Sequence, residues 1–315
     1  MKTLAEILNI EHPIIVAPMF LISNVDMVVA ACDAGATAAF PALNYRSLEE
    51  LKQAIHAIRA RTNKPFGVNL IVNKSNLRHK GQLELILEER VDYVITSLGS
   101  PEATIKACKP LGIKVFCDVI DAAYAKKVEK MGADAVIAVN SKAGGHCGKM
   151  APKTLIENIQ AECTIPIISA GGIGTKAQID EIMQLGAIGV SVGTLFLACE
   201  EATISKDYKE ALIQYGEKDI VLTTKMSGSH LTVINTPYVQ SLGTEASFLE
   251  KLLHKNKWLK KYIKMILAFR GMRAIEKSTF KSTYETVWCA GPSIEFIKSV
   301  RPLKEILKDL TVAAN

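Results

Sequence analysis

Eight short apolar runs recur along the first two thirds of the chain, with longer segments of mixed polarity between them. The runs are continuous rather than alternating, which is typical of strands that are buried on both faces of a parallel sheet. The intervening segments, such as 47–61 and 176–185, have the periodicity of amphipathic helices. The predicted strands are 14–20, 37–43, 65–72, 93–98, 114–119, 135–139, 165–170 and 188–196.

Eight regular strand–helix units predict an α/β fold of the (β/α)8 TIM barrel type, in which the parallel sheet closes on itself inside a ring of helices. A doubly wound open sheet is the alternative, but such a sheet rarely contains eight regular units. After the eighth strand the pattern becomes mainly helical, for example at 247–253 and 258–275, before a last amphipathic segment at 293–310. We expect this last segment to be the closing helix of the barrel.

Two domains follow from this change of pattern. Residues 1–201 and 286–315 are predicted to form the barrel, and residues 202–285 a helical insertion between strand 8 and helix 8. An insertion of this length is far above the usual loop length. It would lie over the C-terminal face of the barrel, where active sites of this fold are found, so we expect a lid.

The composition is that of a globular protein. Of the 315 residues, 49% are hydrophobic and 22% are charged, and the longest apolar runs are too short to cross a bilayer. The start of the chain contains acidic residues and no small-residue cleavage site, so no secretory signal is expected. The seven cysteines are scattered without a C-x-x-C pair, which disfavours a disulfide framework and a zinc site. We therefore expect a cytoplasmic protein without a metal site.

The net charge of +6 is concentrated in one segment. Residues 251–281 contain ten Lys or Arg and one acidic residue, whereas the rest of the chain has 28 basic and 31 acidic residues. The stretch 258–266 is basic and amphipathic, which suits a membrane surface or an acidic partner. A solvated outer face of a lid helix is the more common origin of such charge, and no motif indicates binding to nucleic acid.

The candidate chemistry begins directly after the sixth predicted strand. There the sequence from Lys142 reads KAGGHCG, so that His146 is flanked by three glycines. Glycine allows a backbone to approach a flat ligand and to adopt positive φ, and histidine can transfer protons near neutral pH. The pattern indicates a base held over a bound cofactor, and a histidine that merely caps a loop is the alternative. His230 is a second candidate, whereas Cys147 has no activating partner in the sequence and is expected to be inert.

Glycines also follow the last two predicted strands. Gly171 and Gly172 end strand 7, and Gly193 with Thr194 ends strand 8. Backbone N–H groups at these positions, each followed by a helix, form an anion site, and barrels commonly bind phosphate there. Glycines that only form tight turns are the alternative interpretation.

Motifs along nearly the whole chain resemble the FMN-dependent nitronate monooxygenase family, formerly called 2-nitropropane dioxygenases. They are APM from Ala17, PFGVNL at 65–70, AGGHxG from Ala143, SAGGI at 169–173, and WCAGP from Trp288. The FMN-type enoyl-acyl-carrier-protein reductases and some NAD(P)H:quinone reductases share several of these motifs.

The resemblance implies the following site. The backbone at 17–19 would lie against the flavin ring, Asn69 would hydrogen-bond the ring, and His146 would be the catalytic residue facing the substrate. Asp118 ends strand 5, where relatives often carry Thr or Lys near the flavin. Lys142 and Asn140 replace a Glu and a Gly of the family, which should alter the preference for anions. The cofactor-binding residues implied are Ala17, Pro18, Met19, Asn69, Asp118, Gly144, Ala170, Gly171, Gly172, Gly193 and Thr194.

The expected activity is oxidation of an alkyl nitronate by O2 to a carbonyl compound and nitrite. His146 would orient the nitro group or take the α-proton of a neutral nitroalkane. One alternative is an NAD(P)H-dependent reductase of enoyl thioesters or quinones, and a second is a flavin-free phosphosugar lyase or isomerase on the same barrel. The protein would act on a small molecule as a monomer or homodimer.

Overall fold

The computed structural model describes residues 2–73, 76–225, 230–244, 279–280 and 287–312, and eight parallel strands form its centre. They are β1 (Ile14–Val16), β2 (Thr37–Pro41), β3 (Gly67–Ile71), β4 (Tyr93–Ser97), β5 (Lys114–Val119), β6 (Ala135–Val139), β8 (Ile167–Ala170) and β9 (Gly189–Val192). Each strand pairs with the next, and β9 pairs with β1, so the sheet is a closed barrel. The predicted TIM barrel is therefore confirmed.

The first and last barrel strands are shorter than the apolar runs that predict them. Beyond β1, the N–H of Ala17 still donates to Val192 O at 2.8 Å, and then the chain turns. Beyond β9, residues Thr194–Ala198 form a 3₁₀ helix whose side chains are all buried. Apolar sequence continues past the strand in both places because the loops at this end of the barrel are also buried, and a hydrophobic run alone does not distinguish the two.

Helices surround the barrel. Several begin at residues that cap them, such as Asp121, whose side chain accepts from Tyr124 N, and Thr175, which forms a capping box with Gln178. The helices are α1 (Leu4–Leu8), α2 (Val25–Asp33), α3 (Leu48–Arg59), α4 (His79–Glu88), α5 (Glu102–Cys108), α6 (Ala122–Met131), α7 (Pro152–Glu162), α8 (Lys176–Gln184), α9 (Lys206–Gln214), α10 (Pro237–Leu242) and α11 (Leu303–Thr311).

The closing segment differs from the single helix predicted at 293–310. The structure divides it into a 3₁₀ helix, Pro292–Phe296, and α11. Pro302 lies immediately before α11, and proline cannot continue a helix that comes from its N-terminal side. Helix α11 buries Leu303, Ile306, Leu307 and Leu310, as the amphipathic pattern predicts.

The core has two layers, one inside the barrel and one between the sheet and the helices. Helix α1 closes the N-terminal end of the barrel, where Leu4 and Leu8 join the interior cluster. Above them Tyr93 and Phe116 fill the interior with their rings 5.2 Å apart. Gly67 makes room for Tyr93, because a Cβ there would lie 2.2 Å from the tyrosine ring. Side chains thus fill the barrel interior at its N-terminal end, so a functional site can form only at the C-terminal end.

The insertion after β9 contains strands as well as helices in its described part. Strands β10 (Ile220–Thr223) and β11 (Leu231–Ile234) are antiparallel, and β11 also pairs with the short strand β7 (Gly145–His146). This small sheet is absent from the sequence-based prediction of a mainly helical segment. The predicted helices at 247–253 and 258–275 lie outside the described residues, as does the basic segment 251–281 except for Thr279 and Phe280. Within the described ranges, no helix is long and apolar enough to cross a membrane.

Candidate functional site

The loop between β6 and β7 is held at the C-terminal end of the barrel by one buried amide. Asn140 is fully buried, and its Oδ1 accepts from Lys142 N at 2.8 Å. Its Nδ2 donates to Gly171 O at 3.0 Å, which ties the loop to the turn after β8. Asn140 therefore fixes the relative position of two motifs that the sequence places 31 residues apart.

Gly144 lies where no side chain fits. A Cβ on Gly144 would be 2.8 Å from Gly291 N and 2.9 Å from Thr194 Oγ1. Gly291 N itself donates to Thr194 Oγ1 at 3.0 Å. The WCAGP segment thus packs directly behind the loop. Trp288 is stacked on Tyr208, with ring centroids 5.2 Å apart, which supports the loop from the insertion side.

His146 is placed by the insertion. It belongs to β7, where it pairs with Leu231 of β11, and the next residue, Cys147, donates its N–H to His230 O at 3.4 Å. The hydroxyl of Thr232 donates to the carbonyls of Ala143 and Gly145. The second candidate, His230, therefore does reach the loop, but it contributes a backbone carbonyl to its geometry.

The environment of His146 favours the neutral imidazole. His146 is an exposed residue, yet the protein atoms around its ring desolvate the ring in part and lower its pKa below the ordinary 6.5. A neutral imidazole can accept a proton or a hydrogen bond at physiological pH. The geometry and the protonation state together suit a base that faces a bound substrate.

The turns after β8 and β9 present backbone rather than side chains. Gly171 and Gly172 have positive φ, +111° and +82°. A Cβ on Gly171 would lie 2.5 Å from Ala143 N, so only glycine fits there. In the described part of the chain, the N–H groups of Gly172 and Thr194 donate to no protein acceptor. Such free N–H groups at the ends of neighbouring strands suit an anion.

The segment after β1 closes the gap between these turns and the barrel interior. A Cβ on Gly193 would lie 3.5 Å from Ala17 Cβ and 3.7 Å from Met19 Sδ. Ser23 holds the segment in place, because its hydroxyl accepts from Met19 N at 2.8 Å and donates to Ala17 O at 3.2 Å. Pro18 lies between these anchored residues. The region 17–19 and the glycine turns are therefore neighbours, as the resemblance implies.

Three polar side chains on β3, β4 and β5 are linked by hydrogen bonds on the other side of the mouth. Asn69 Nδ2 donates to Ser97 Oγ at 2.7 Å, and Ser97 Oγ donates to Asp118 Oδ2 at 2.5 Å. Burial raises the pKa of Asp118 to about 6, and the hydrogen bond from Ser97 acts in the opposite direction. The sequence predicts Asn69 and Asp118 at the site, but it does not predict their link through Ser97.

The structure brings all of the predicted site residues to the C-terminal end of the barrel, and it adds three that sequence reasoning missed as site residues. Ser97 could have been found from register, because it pairs with Ile71 at the end of β3 and lies beside the strand that carries Asp118. Thr232 had no signal in the sequence. Asn140 was visible only as a departure from the family.

The cysteines near the site are poor nucleophiles. Burial raises the pKa of Cys147 above its ordinary value and raises the pKa of Cys289 to about 12. A thiol that stays protonated at neutral pH is a weak nucleophile. The prediction of an inert Cys147 agrees with these values.

Comparison with known proteins adds a family to this geometry. The family model described as nitronate monooxygenase matches residues 1–81 and 75–313. A nitronate monooxygenase from Pseudomonas aeruginosa is 29% identical over 268 residues, which are 70% of this chain and 76% of that protein. A relative from Rhodococcus jostii is 30% identical over 239 residues, 76% of this chain and 67% of that protein. It is named (3aS,4S,5R,7aS)-5-hydroxy-7a-methyl-1-oxo-octahydro-1H-indene-4-carboxyl-CoA dehydrogenase.

Solved structures agree with the fold. FabK from Thermotoga maritima has a TM-score of 0.84 and 27% identity, and the match covers 99% of this chain and 95% of that one. A nitroalkane oxidase from Streptomyces ansochromogenes has a TM-score of 0.77, with coverage of 96% and 95%. At 22% identity, the second similarity is one of fold alone.

Proposed function

The chain belongs to the nitronate monooxygenase family and is an oxidoreductase, and on this premise we propose that it is an FMN-dependent nitronate monooxygenase. The proposed reaction converts an alkyl nitronate and O2 into a carbonyl compound and nitrite. The observation that carries the proposal is the placement of His146, held by the β7–β11 pairing, at the same end of the barrel as the turns of Gly171 and Gly172, which suit an anion.

The residues present fit a phosphorylated flavin. We propose that the free N–H groups of Gly172 and Thr194 hold the phosphate together with Gly171 and Gly193, and that Ala170 ends the strand beneath them. The backbone at 17–19 and the close approach allowed by Gly144 would border a flat ring. When bound, the flavin supplies the redox chemistry, and the protein supplies orientation and electrostatics.

His146 would act on the substrate. A neutral imidazole accepts the α-proton of a nitroalkane at Nδ1 or Nε2, or hydrogen-bonds the oxygens of a nitronate once it is protonated. The β7–β11 pairing holds the histidine in place, so the proton acceptor is preorganised rather than free to rotate away with its loop.

Lys142 would increase the attraction for anions. Its side chain is exposed, and a Cβ on Gly172 would lie 2.9 Å from both its Cβ and its Cδ. The lysine stem thus lies along the proposed phosphate turn. Its ammonium group adds positive charge where the family usually has a carboxylate, which favours anionic ligands over neutral ones.

A reductase of enoyl thioesters is the second candidate, and one structural observation favours it. Leu98 and Ile120 at the mouth are 53% and 50% exposed, and a Cβ on Gly148 would lie 3.3 Å from Ile120 Cβ. An apolar rim beside the histidine loop suits an acyl chain better than a small nitronate. The Rhodococcus jostii relative is named for a CoA thioester, and FabK is the structural neighbour with a TM-score of 0.84.

The two candidates differ in what reduces the flavin. Purified FMN-loaded protein is mixed without oxygen in a stopped-flow instrument, once with ethylnitronate or propionate 3-nitronate and once with NADH or NADPH. We expect the nitronate to bleach the flavin and the pyridine nucleotides to leave it oxidised. Fast bleaching by NADH or NADPH alone would establish the reductase instead. A colourless protein that does not bind FMN would contradict both candidates.

Substitution of the histidine tests its role. We expect His146→Asn to reduce turnover of neutral nitroethane about 100-fold, because proton abstraction loses its base. Turnover of preformed ethylnitronate should fall much less. His230→Asn is the matched control, since His230 contributes its backbone carbonyl to the loop. In the wild type, turnover of the neutral substrate should rise with pH through a midpoint below 6.5 and then level off.

A further inference from the structure

Asn69, Ser97 and Asp118 form a hydrogen-bonded group of polar side chains on the inner wall of the barrel, directly above an apolar interior. Asn69 lies in the middle of β3, Ser97 is the last residue of β4, and Asp118 is the last but one of β5. The alternation along each strand places them on the same inward face as Ile95 and Phe116. Their hydrogen bonds join three adjacent strands at the mouth. A connected polar group at this position is a functional feature rather than a requirement of the core.

The direction of the hydrogen bonds follows from the donors available. Asn69 Nδ2 donates to Ile95 O at 3.2 Å and to Ser97 Oγ at 2.7 Å, which uses both of its protons. The hydroxyl of Ser97 then has one proton left to give, and Asp118 Oδ2 accepts it. Asp118 Oδ2 accepts this bond when the carboxyl is ionised, and also when the proton lies on the other oxygen. Asn69 is thereby held with its amide oxygen free to accept from a ligand.

Among the described residues, Asp118 has no counter-ion, and Ser97 is the one side chain whose hydrogen bond stabilises its charge. Burial raises the pKa of the carboxyl to about 6. Two titratable groups close to it in the sequence do not compensate it: Cys117 has a pKa raised to about 12, and Tyr124 donates its hydroxyl to Gly99 O. An unpaired, desolvated carboxylate lowers the free energy of unfolding, which indicates that its charge has a functional role.

We propose that Asp118 is a positioning and tuning residue for the flavin: through Ser97 it fixes Asn69 as a hydrogen-bond acceptor, and its charge opposes negative charge on the ring. The inference rests on the proposed function, because it assumes that FMN binds at this mouth. Charge near a flavin ring is one of the means by which a protein sets the electronic properties of the cofactor. No contact between Asp118 and substrate is required.

Sulfite gives a measure of this effect that does not depend on turnover. Its sulfur forms a bond to N5 of the oxidised ring with its own electron pair, and the electrons displaced into the ring leave negative charge on the pyrimidine side. No external oxidant or reductant takes part. A carboxylate at the mouth disfavours this product by Coulomb repulsion, so the dissociation constant for sulfite reports the charge on Asp118.

The experiment compares FMN-loaded wild type with Asp118→Asn by titration with sodium sulfite, followed by loss of the flavin absorbance band. At pH 8 we expect the variant to bind sulfite about tenfold more tightly. At pH 5 the two proteins should differ less than about twofold, because Asp118 is then protonated in the wild type. Because the two proteins are compared at the same pH, the protonation of sulfite itself affects both dissociation constants equally and cancels from their ratio. The control Asp121→Asn removes a nearby carboxylate that caps α6, a role that Asn also fills.

Two further variants make the test independent of any one substitution. Ser97→Ala removes the hydrogen bond that lowers the pKa of Asp118, so the titration of Asp118 should affect sulfite binding at a higher pH in this variant than in the wild type. It should also weaken FMN binding, measured by fluorescence, because Asn69 is no longer held. In a His146→Asn background, proteins with and without Asp118→Asn should still converge at low pH, which separates Asp118 from the histidine as the origin of the effect.

The possible results are distinguishable. A flavin-loaded Asp118→Asn protein with the wild-type sulfite constant at pH 8 would overturn the inference and leave the proposed function intact. Loss of the convergence in His146→Asn would overturn the inference in the same way. Protein that retains no FMN at any pH would overturn the proposed function, and the inference with it. Should Asp118→Asn fail to fold, the pH dependence of sulfite binding by Ser97→Ala, compared with that of the wild type, decides the question.

Discussion

The two sides of the barrel mouth are built by different means. On one side, the turns around Gly144, Gly171 and Gly193 present backbone, and side chains are excluded by close contacts. On the other side, three side chains form a chain of hydrogen bonds across β3, β4 and β5. The side formed by the glycine turns (the glycine side) has a fixed shape and fixed partial charges on its backbone N–H groups. The side formed by the three side chains (the side-chain side) contains a group that titrates, the carboxyl of Asp118. In the function we propose, the rigid side would bind the cofactor and the other side would adjust its chemistry.

We expect the largest effect from a substitution that adds a side chain to one of the glycine turns. Gly171→Ala places a Cβ 2.5 Å from Ala143 N at a φ of +111°, so the loop must move. We expect a loss of about 3 kcal/mol in the free energy of unfolding and loss of FMN retention. Urea unfolding and the flavin content of the purified protein measure the two.

Gly112→Ala is the control for backbone conformation alone. Gly112 also has positive φ, +72°, but a Cβ there would meet nothing within 4 Å. We expect a cost of about 1 kcal/mol and normal FMN content. Equal effects of the two substitutions would mean that the close contact at Gly171 does not shape the site.

The difference between the two sides also explains what could be predicted from the sequence. A backbone site needs glycine at fixed places, so the AGGH and SAGGI motifs are visible in the chain, as are the eight apolar runs of the barrel. The side-chain site consists of ordinary residues 28 and 21 positions apart. Their connection depends on strand register, which periodicity does not provide. The β7–β11 pairing escaped prediction because two-residue strands carry no pattern.

Thr232 tests whether the insertion positions the histidine loop. We expect Thr232→Val to cost about 1–3 kcal/mol, since the buried carbonyl of Ala143 and the half-buried carbonyl of Gly145 lose this donor. Turnover of nitroethane should fall more than the affinity for FMN. Thr223→Val in β10 is the matched control, because Thr223 donates to Thr244 O, away from the loop. A fall in turnover of equal size in the control would contradict a positioning role.

Asp118 should make the apo-protein sensitive to pH. Its pKa is raised from 3.8 to about 6 in the folded state, so the folded protein binds a proton that the unfolded chain has released. The stabilisation is complete below about pH 4 and is lost as the pH rises through about 6. We therefore expect Asp118→Asn to be more stable than wild type by about 1–2 kcal/mol at pH 7.5, after allowance for partial exposure. At pH 4 the difference should vanish. Urea unfolding of both apo-proteins at the two pH values measures it, and a wild type that is the more stable at pH 7.5 would contradict the cost assigned to this charge.

We expect the smallest effect from a substitution of Tyr208, which packs behind the glycine turns. The hydroxyl of Tyr208 donates to Cys289 O at 2.7 Å, while its ring stacks on Trp288. Tyr208→Phe keeps the stack and removes one buried hydrogen bond, so we expect a loss of about 1 kcal/mol. Tyr124→Phe removes the same kind of bond, to Gly99 O, at an exposed position near the side-chain side. Because water can replace that donor, its cost should be smaller. Thermal unfolding of the two variants compares them directly, and an equal shift would mean that the rigid side is no better shielded from water than the titrating side.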